Sequence, residues 1–127
     1  MSYTKKNLRD VEDSAVKFGF SDAQEARFAR RDLAAEQTGL THLVIKPGQR
    51  EAFAHKHRDA EEIYVVLAGS GRVKLDHEIA ELSKLDAVRV SPGTTRQLEA
   101  GPDGLEVLIV GAHVEGDVEQ VSDFWTT

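Results

Sequence analysis

The chain has no cysteine among its 127 residues, which excludes a disulfide framework and any thiolate metal site. A bound metal would have to be held by His, Asp or Glu. Long apolar runs are also missing. No stretch approaches the roughly 18 uninterrupted apolar residues of a membrane span, and the opening MSYTKKNLRDVEDS lacks the apolar core of a signal peptide. A soluble, cytoplasmic protein with no membrane partner is expected. Basic residues are in deficit, 16 against 22 acids, and the net charge of -6 repels a polyphosphate backbone. The run Arg27, Arg30, Arg31 is short and Asp32 follows it directly, so no nucleic-acid partner is expected. There is no nucleotide signature and no Ser or Cys nucleophile arrangement. The element Gly69-Ser70-Gly71 joins two strands and opens no helix, so it reads as a turn rather than a phosphate loop.

What the chain does contain is one domain's worth of residues, dense turn signals and short apolar runs between them. Turns are expected at Lys46-Pro47-Gly48, Gly69-Ser70-Gly71, Asp76-His77, Ser91-Pro92-Gly93-Thr94 and Gly101-Pro102-Asp103-Gly104. The intervening runs predict strands at about 40–46, 53–57, 62–68, 72–76, 78–83, 87–91, 95–100 and 105–111, the pattern of an all-β sandwich or barrel. In Ile63 to Leu67 every residue is apolar or aromatic, so both faces of that strand should be covered, one by the interior and the other by a second sheet or a partner subunit. Ser21 to Leu33 begins like a capping box, with Gln24 three residues after Ser21, yet Ala26 and Phe28 alternate with Arg27 and Ala29 as in an edge strand. It reads as a short helical turn leading into a strand. The expected division is an N-terminal extension over 1–35 that packs on a barrel over 36–114, then an acidic tail over 115–127 anchored by Phe124 and Trp125.

The chemistry concentrates in Gly48 to Gly69. Residues two apart on a strand share a face, so His55 and His57 present both imidazoles to one point while Lys56 faces away. A carboxylate from the next strand would complete a facial metal triad. Glu61 and Glu62 compete for that role, and alternation alone does not choose, because Arg58-Asp59-Ala60 can reset the face. Glu62 is preferred, since Tyr64, Val66 and Ala68 then share its face as a pocket wall; Glu61 would sit solvated on the rim.

These residues resemble the first conserved motif of the cupins, with His55, His57, Glu62 and Gly69 at matching spacing and Gly48 one residue further upstream than usual. The resemblance covers roughly Leu40 to Gly111. It implies a cupin double-stranded β-helix, a jelly-roll barrel with an N-terminal extension, and a divalent metal such as Fe, Mn, Ni, Zn or Cu on His55, His57 and Glu62. The family's second motif has its counterpart in Leu85 to Arg96, where the Pro92-Gly93 turn is kept. Leu85 replaces a glycine common in the family, and Arg96 stands where the fourth ligand, a histidine, is usual.

Arginine cannot ligate a metal, because its guanidinium stays protonated and offers only donors. An inward-pointing Arg96 would either pair with Glu62 or fork around the anionic group of a substrate. Arg96 and Tyr64 are accordingly the candidate catalytic groups, and Arg96, Tyr64 and His42 the candidate substrate contacts; His77 and His113 read as surface residues. One reading is a metal-dependent oxygenase, isomerase or decarboxylase acting on a small organic anion. The other is a metal-free barrel that binds or senses a small molecule without catalysis. Cupins commonly pair through strands, so the resemblance implies a homodimer, with Ile63, Val65 and Leu67 as the seam.

Overall fold

The computed structural model describes residues 2–126 and contains eight strands among them, with very little helix. They are β1 (Gln24–Phe28), β2 (Thr38–Ile45), β3 (Ala54–His57), β4 (Glu62–Leu75), β5 (Glu78–Leu82), β6 (Ala87–Val90), β7 (Arg96–Ala112) and β8 (Val118–Val121). All pairings are antiparallel, in the order β1-β2-β7-β3-β8, and β4 joins β5, β6 and β7. A short helix α1 (Ser14–Phe18), capped by Asp13 at one end and by left-handed Gly19 at the other, precedes β1.

The long β4–β7 ribbon organises the barrel. Where the sequence suggested two strands on each side of Gly69-Ser70-Gly71 and of Gly101 to Gly104, the structure has one bent strand in each place. The glycines serve bulges, not hairpin turns: the register shifts between Val66 and Ala68 and again between Gly69 and Gly71. Gly69 has φ +78°, and a Cβ on it would collide with the Gly104 carbonyl oxygen, as one on Gly71 would with that of Glu99. The bends carry each strand from one wall of the barrel to the other. Glu62 and Arg96 begin β4 and β7 and so lie at opposite ends of the ribbon, paired with Gly111 and Leu75 respectively. A straight ribbon would hold them about 40 Å apart at ~3.3 Å per residue; barrel closure brings their side chains to 2.7 Å.

The segment over 21–33 resolves into a turn and a strand, with the Gln24 amide bonded to the Phe20 carbonyl before β1 pairs with β2. Within the residues expected to form the tail, β8 pairs with β3, placing Val118 opposite His57 and Gln120 opposite His55. Beyond it Trp125 lies over the guanidinium groups of Arg50 and Arg72, and Lys74 donates to the Phe124 carbonyl at 2.7 Å.

Alternation sorts the core. Leu43, Ile45, Tyr64, Val66, Leu98, Val107 and Ile109 point inward and are buried. On the outer face of the same strands Ile63 and Val110 are exposed, with Val65, Leu67 and Leu108 partly covered. Among the described residues the second face of Ile63 to Leu67 therefore meets no other sheet. No helix among the described residues is long and apolar enough to cross a membrane.

Candidate metal centre

Strand β3 places His55 and His57 on one face as period-two alternation requires, and Glu62 at the start of β4 comes to meet them. One ligand atom from each residue lies within 4.8 Å of the others. Glu62 Oε1 is 3.2 Å from His57 Nε2 and 3.9 Å from His55 Nε2. Neighbouring ligand atoms around an ion bound at ~2.1 Å are about 3 Å apart, so small side-chain adjustments would bring all three to a common ion. Glu61 is exposed, facing Arg89 at 3.4 Å.

Asp117 was not among the residues singled out from the sequence. Its carboxylate, buried under the loop before β8, accepts from the backbone amides of Asp59 at 2.8 Å and Ala60 at 3.0 Å, and lies 3.3 Å from His57 Nδ1. A carboxylate beside Nδ1 orients the ring, and a ring that keeps its proton on Nδ1 presents Nε2 as the donor a metal needs. Burial would raise the Asp117 pKa, but the two amides and His57 outweigh it and hold the carboxyl below its usual range. His55 Nδ1 is buried without a hydrogen-bond partner.

Arg96 is fully buried, and of the two roles open to it the structure displays pairing with Glu62. Its Nη2 donates to Glu62 Oε1 at 2.7 Å, Nη1 to the Thr94 carbonyl at 2.8 Å and Nε to the Tyr64 hydroxyl at 3.3 Å. A carboxylate oxygen has two lone-pair sites, so Oε1 can accept from Arg96 and still face the imidazoles. Burial alone would raise the Glu62 pKa. Hydrogen bonds from His55 and His57, the His57 charge and the Arg96 guanidinium override it, and the carboxyl stays ionised far below its ordinary range. Tyr64 is buried behind this pair, and that burial, with Glu51 and Glu62 nearby, pushes its hydroxyl well above the ordinary phenol range.

The three candidate ligands line a cavity of about 570 Å3. Arg96, Tyr64 and His42 are absent from its wall. His42 occupies the opposite face of β2 because Leu43 and Ile45 take the inward positions, and its Nε2 pairs with Glu106 at 2.6 Å. His42 is thus turned away from the cavity, while Arg96 and Tyr64 stand behind Glu62. Glu51, which the sequence reading passed over, does line it. Burial raises its pKa, against the pull of His55, the Leu98 amide it accepts from at 3.1 Å, and Arg96.

A family model described as "Cupin domain" matches residues 41–111, more than half of the chain. The chain belongs to the cupin family. Among solved structures, this cupin is similar to a cupin protein from Bacteroides fragilis, with 23% identity, a TM-score of 0.69 and coverage of 98% of this chain and 94% of the other. It is also similar to oxalate decarboxylase from Bacillus subtilis, with 22% identity and a TM-score of 0.77 over 98% of this chain but only 34% of that one. At such identities the likeness concerns the fold. A curated relative, "Uncharacterized protein MJ1618" of Methanocaldococcus jannaschii, is 38% identical over 60 residues. That match spans about half of each protein, 47% of both.

The donor set suits a divalent ion: two imidazoles, one of them oriented by Asp117, and an ionised carboxylate face one point on the wall of a cavity. Fe, Mn, Ni, Zn and Cu all accept such ligands.

Proposed function

We propose that this protein is a metal-dependent cupin that takes up a small organic anion, with a divalent ion held by His55, His57 and Glu62. The observation that carries the reading is the convergence of those three side chains on one point open to a cavity. A bound ion would supply Lewis acidity and open coordination positions for a substrate, water or dioxygen. Asp117 orients His57, and Arg96 keeps Glu62 ionised and in place. Oxygenation, isomerisation or decarboxylation of an organic acid are the reaction classes this arrangement suits.

The alternative is a metal-free binding or sensing barrel. It is favoured by the Arg96–Glu62 pair at 2.7 Å, which satisfies the carboxylate without an ion. Elemental analysis after loading and desalting separates the two. The metal-dependent reading expects close to one equivalent per subunit and a melting temperature lowered by chelator; no metal and no chelator effect would leave the binding barrel. For the assembly, the exposed Ile63 and Val110 on the outer face support a homodimer across that sheet. Light scattering at the monomer mass would rule it out.

A further inference from the structure

The run Arg27, Arg30, Arg31 has no part in the metal centre, yet two of its members stand on the cavity. Arg30 and Arg31 line the cavity along with Phe28. Arg27 is turned to the outer face of β1, where it pairs with Glu25 at 2.7 Å. Arg30 is half-buried and oriented by a bond from Nη1 to the Ala35 carbonyl at 3.2 Å, which leaves its other donors uncommitted. Arg31 is exposed; its carbonyl accepts from the Ala34 amide at 3.0 Å, and its side chain makes no hydrogen bond or ion pair with any described residue. Acids that share the cavity wall or the run have partners of their own: Glu115 lies 3.1 Å from His113, Asp117 serves His57 and two amides, Glu62 accepts from Arg96, Glu51 accepts from the Leu98 amide, and Asp32 lies 3.5 Å from Lys6.

Apolar side chains make up much of the rest of the wall. Phe28 is 58% exposed, so its ring offers apolar surface to a ligand on the cavity wall. Phe53 packs edge-on against His55 with ring centroids 6.5 Å apart, and His55 against His57 at 5.1 Å, so an aromatic path runs to the metal ligands. A volume of about 570 Å3 falls within the ~300–1,000 Å3 of sites that enclose drug-sized ligands, far more than a two-carbon acid fills.

We propose that the cavity selects an amphipathic carboxylate, with its anionic group on Arg30 and Arg31, its apolar body against Phe28 and Phe53, and its other end toward His55, His57 and Glu62. Only the placement of that last end rests on the metal-dependent reading above. Guanidinium groups recognise carboxylates through paired charge-assisted hydrogen bonds, and the apolar body gains by leaving water.

The test is calorimetric titration with 3-phenylpropanoate, 3-phenylpropanol and acetate, on metal-loaded and on chelated protein whose metal content is measured in parallel. The expected result is that the aromatic acid binds at least tenfold more tightly than the alcohol or acetate, and that R30Q/R31Q removes the preference over the alcohol while circular dichroism stays unchanged. Equal binding of acid and alcohol, equal binding of acetate, a preference that survives R30Q/R31Q, or no binding of the acid at millimolar concentration overturns the proposal. Acid-selective binding by a protein that takes up no metal would uphold the proposal and remove the metal-dependent reading. Stoichiometric metal without acid selectivity would do the reverse.

Discussion

Replacing Arg96 by methionine should destabilise the metal-free protein markedly, although that residue does not line the cavity. The guanidinium is fully buried and gives three hydrogen bonds, to Glu62, Thr94 and Tyr64. Removing one member of a buried pair leaves the other charge uncompensated, at a cost of ~3–5 kcal/mol. Glu62 keeps His57 at 3.2 Å and some solvent contact, so the lower end applies, about 3 kcal/mol. For a domain of this size that corresponds to a fall of about 12 °C in Tm, taking ~4 °C per kcal/mol. Methionine fills much of the same volume, which keeps the effect electrostatic rather than one of packing. The double variant E62M/R96M removes both charges together and should lie within ~1 kcal/mol of the parent. Thermal melts by circular dichroism in excess chelator would measure all three proteins. An R96M protein melting within ~3 °C of the parent, or a double variant no more stable than R96M, would refute the argument that this pair holds the two ends of the β4–β7 ribbon together.

Asp117→Asn should lower metal affinity by about 10- to 100-fold, the usual cost of losing the group that orients a ligating histidine, read by competition with a chromogenic chelator. Unchanged affinity would mean that His57 needs no such support. Glu51→Gln should raise Tm at pH 7: the pKa of Glu51 is higher in the folded protein, so its favourable contribution is complete below about pH 4.5 and is lost as pH rises through the folded value. The advantage of the variant should accordingly shrink toward pH 4, and a constant gap across that range would contradict the assignment. Tyr64→Phe should cost about 1 kcal/mol through the lost acceptor for Arg96 Nε, seen as a Tm lower by about 4 °C, with metal binding retained. Loss of metal binding would show that the hydroxyl does more than support Arg96.

The candidate metal centre was readable where strand periodicity determines geometry. His55 and His57 had to share a face once β3 was a strand, and the apolar partners of Glu62 on β4 singled it out from Glu61. Asp117 was not readable, because the order that matters is spatial: it lies 60 residues from His57 in a stretch whose local composition resembles a solvated tail. The bent strands were misread because bulges and hairpins call on the same residues. A glycine with positive φ serves both, and only the cross-strand register distinguishes Gly69 in a continuous β4 from a turn. His42 shows a different difficulty. Its strand was expected correctly, but facing depended on which neighbours were buried, and Leu43 with Ile45 turned it to the outside. Arg96 was recognised as unusual by comparison with a motif, while its engagement by Glu62, Tyr64 and Thr94 depends on barrel closure.

His55, His57 and Glu62 should hold one divalent ion. Anomalous diffraction from crystals of protein loaded with Mn(II) or Zn(II), recorded on both sides of the metal edge, addresses it directly. A single strong peak within ~2.3 Å of both imidazole Nε2 atoms and a Glu62 oxygen is expected. Featureless density there, with Glu62 still committed to Arg96 in fully loaded crystals, would contradict the claim.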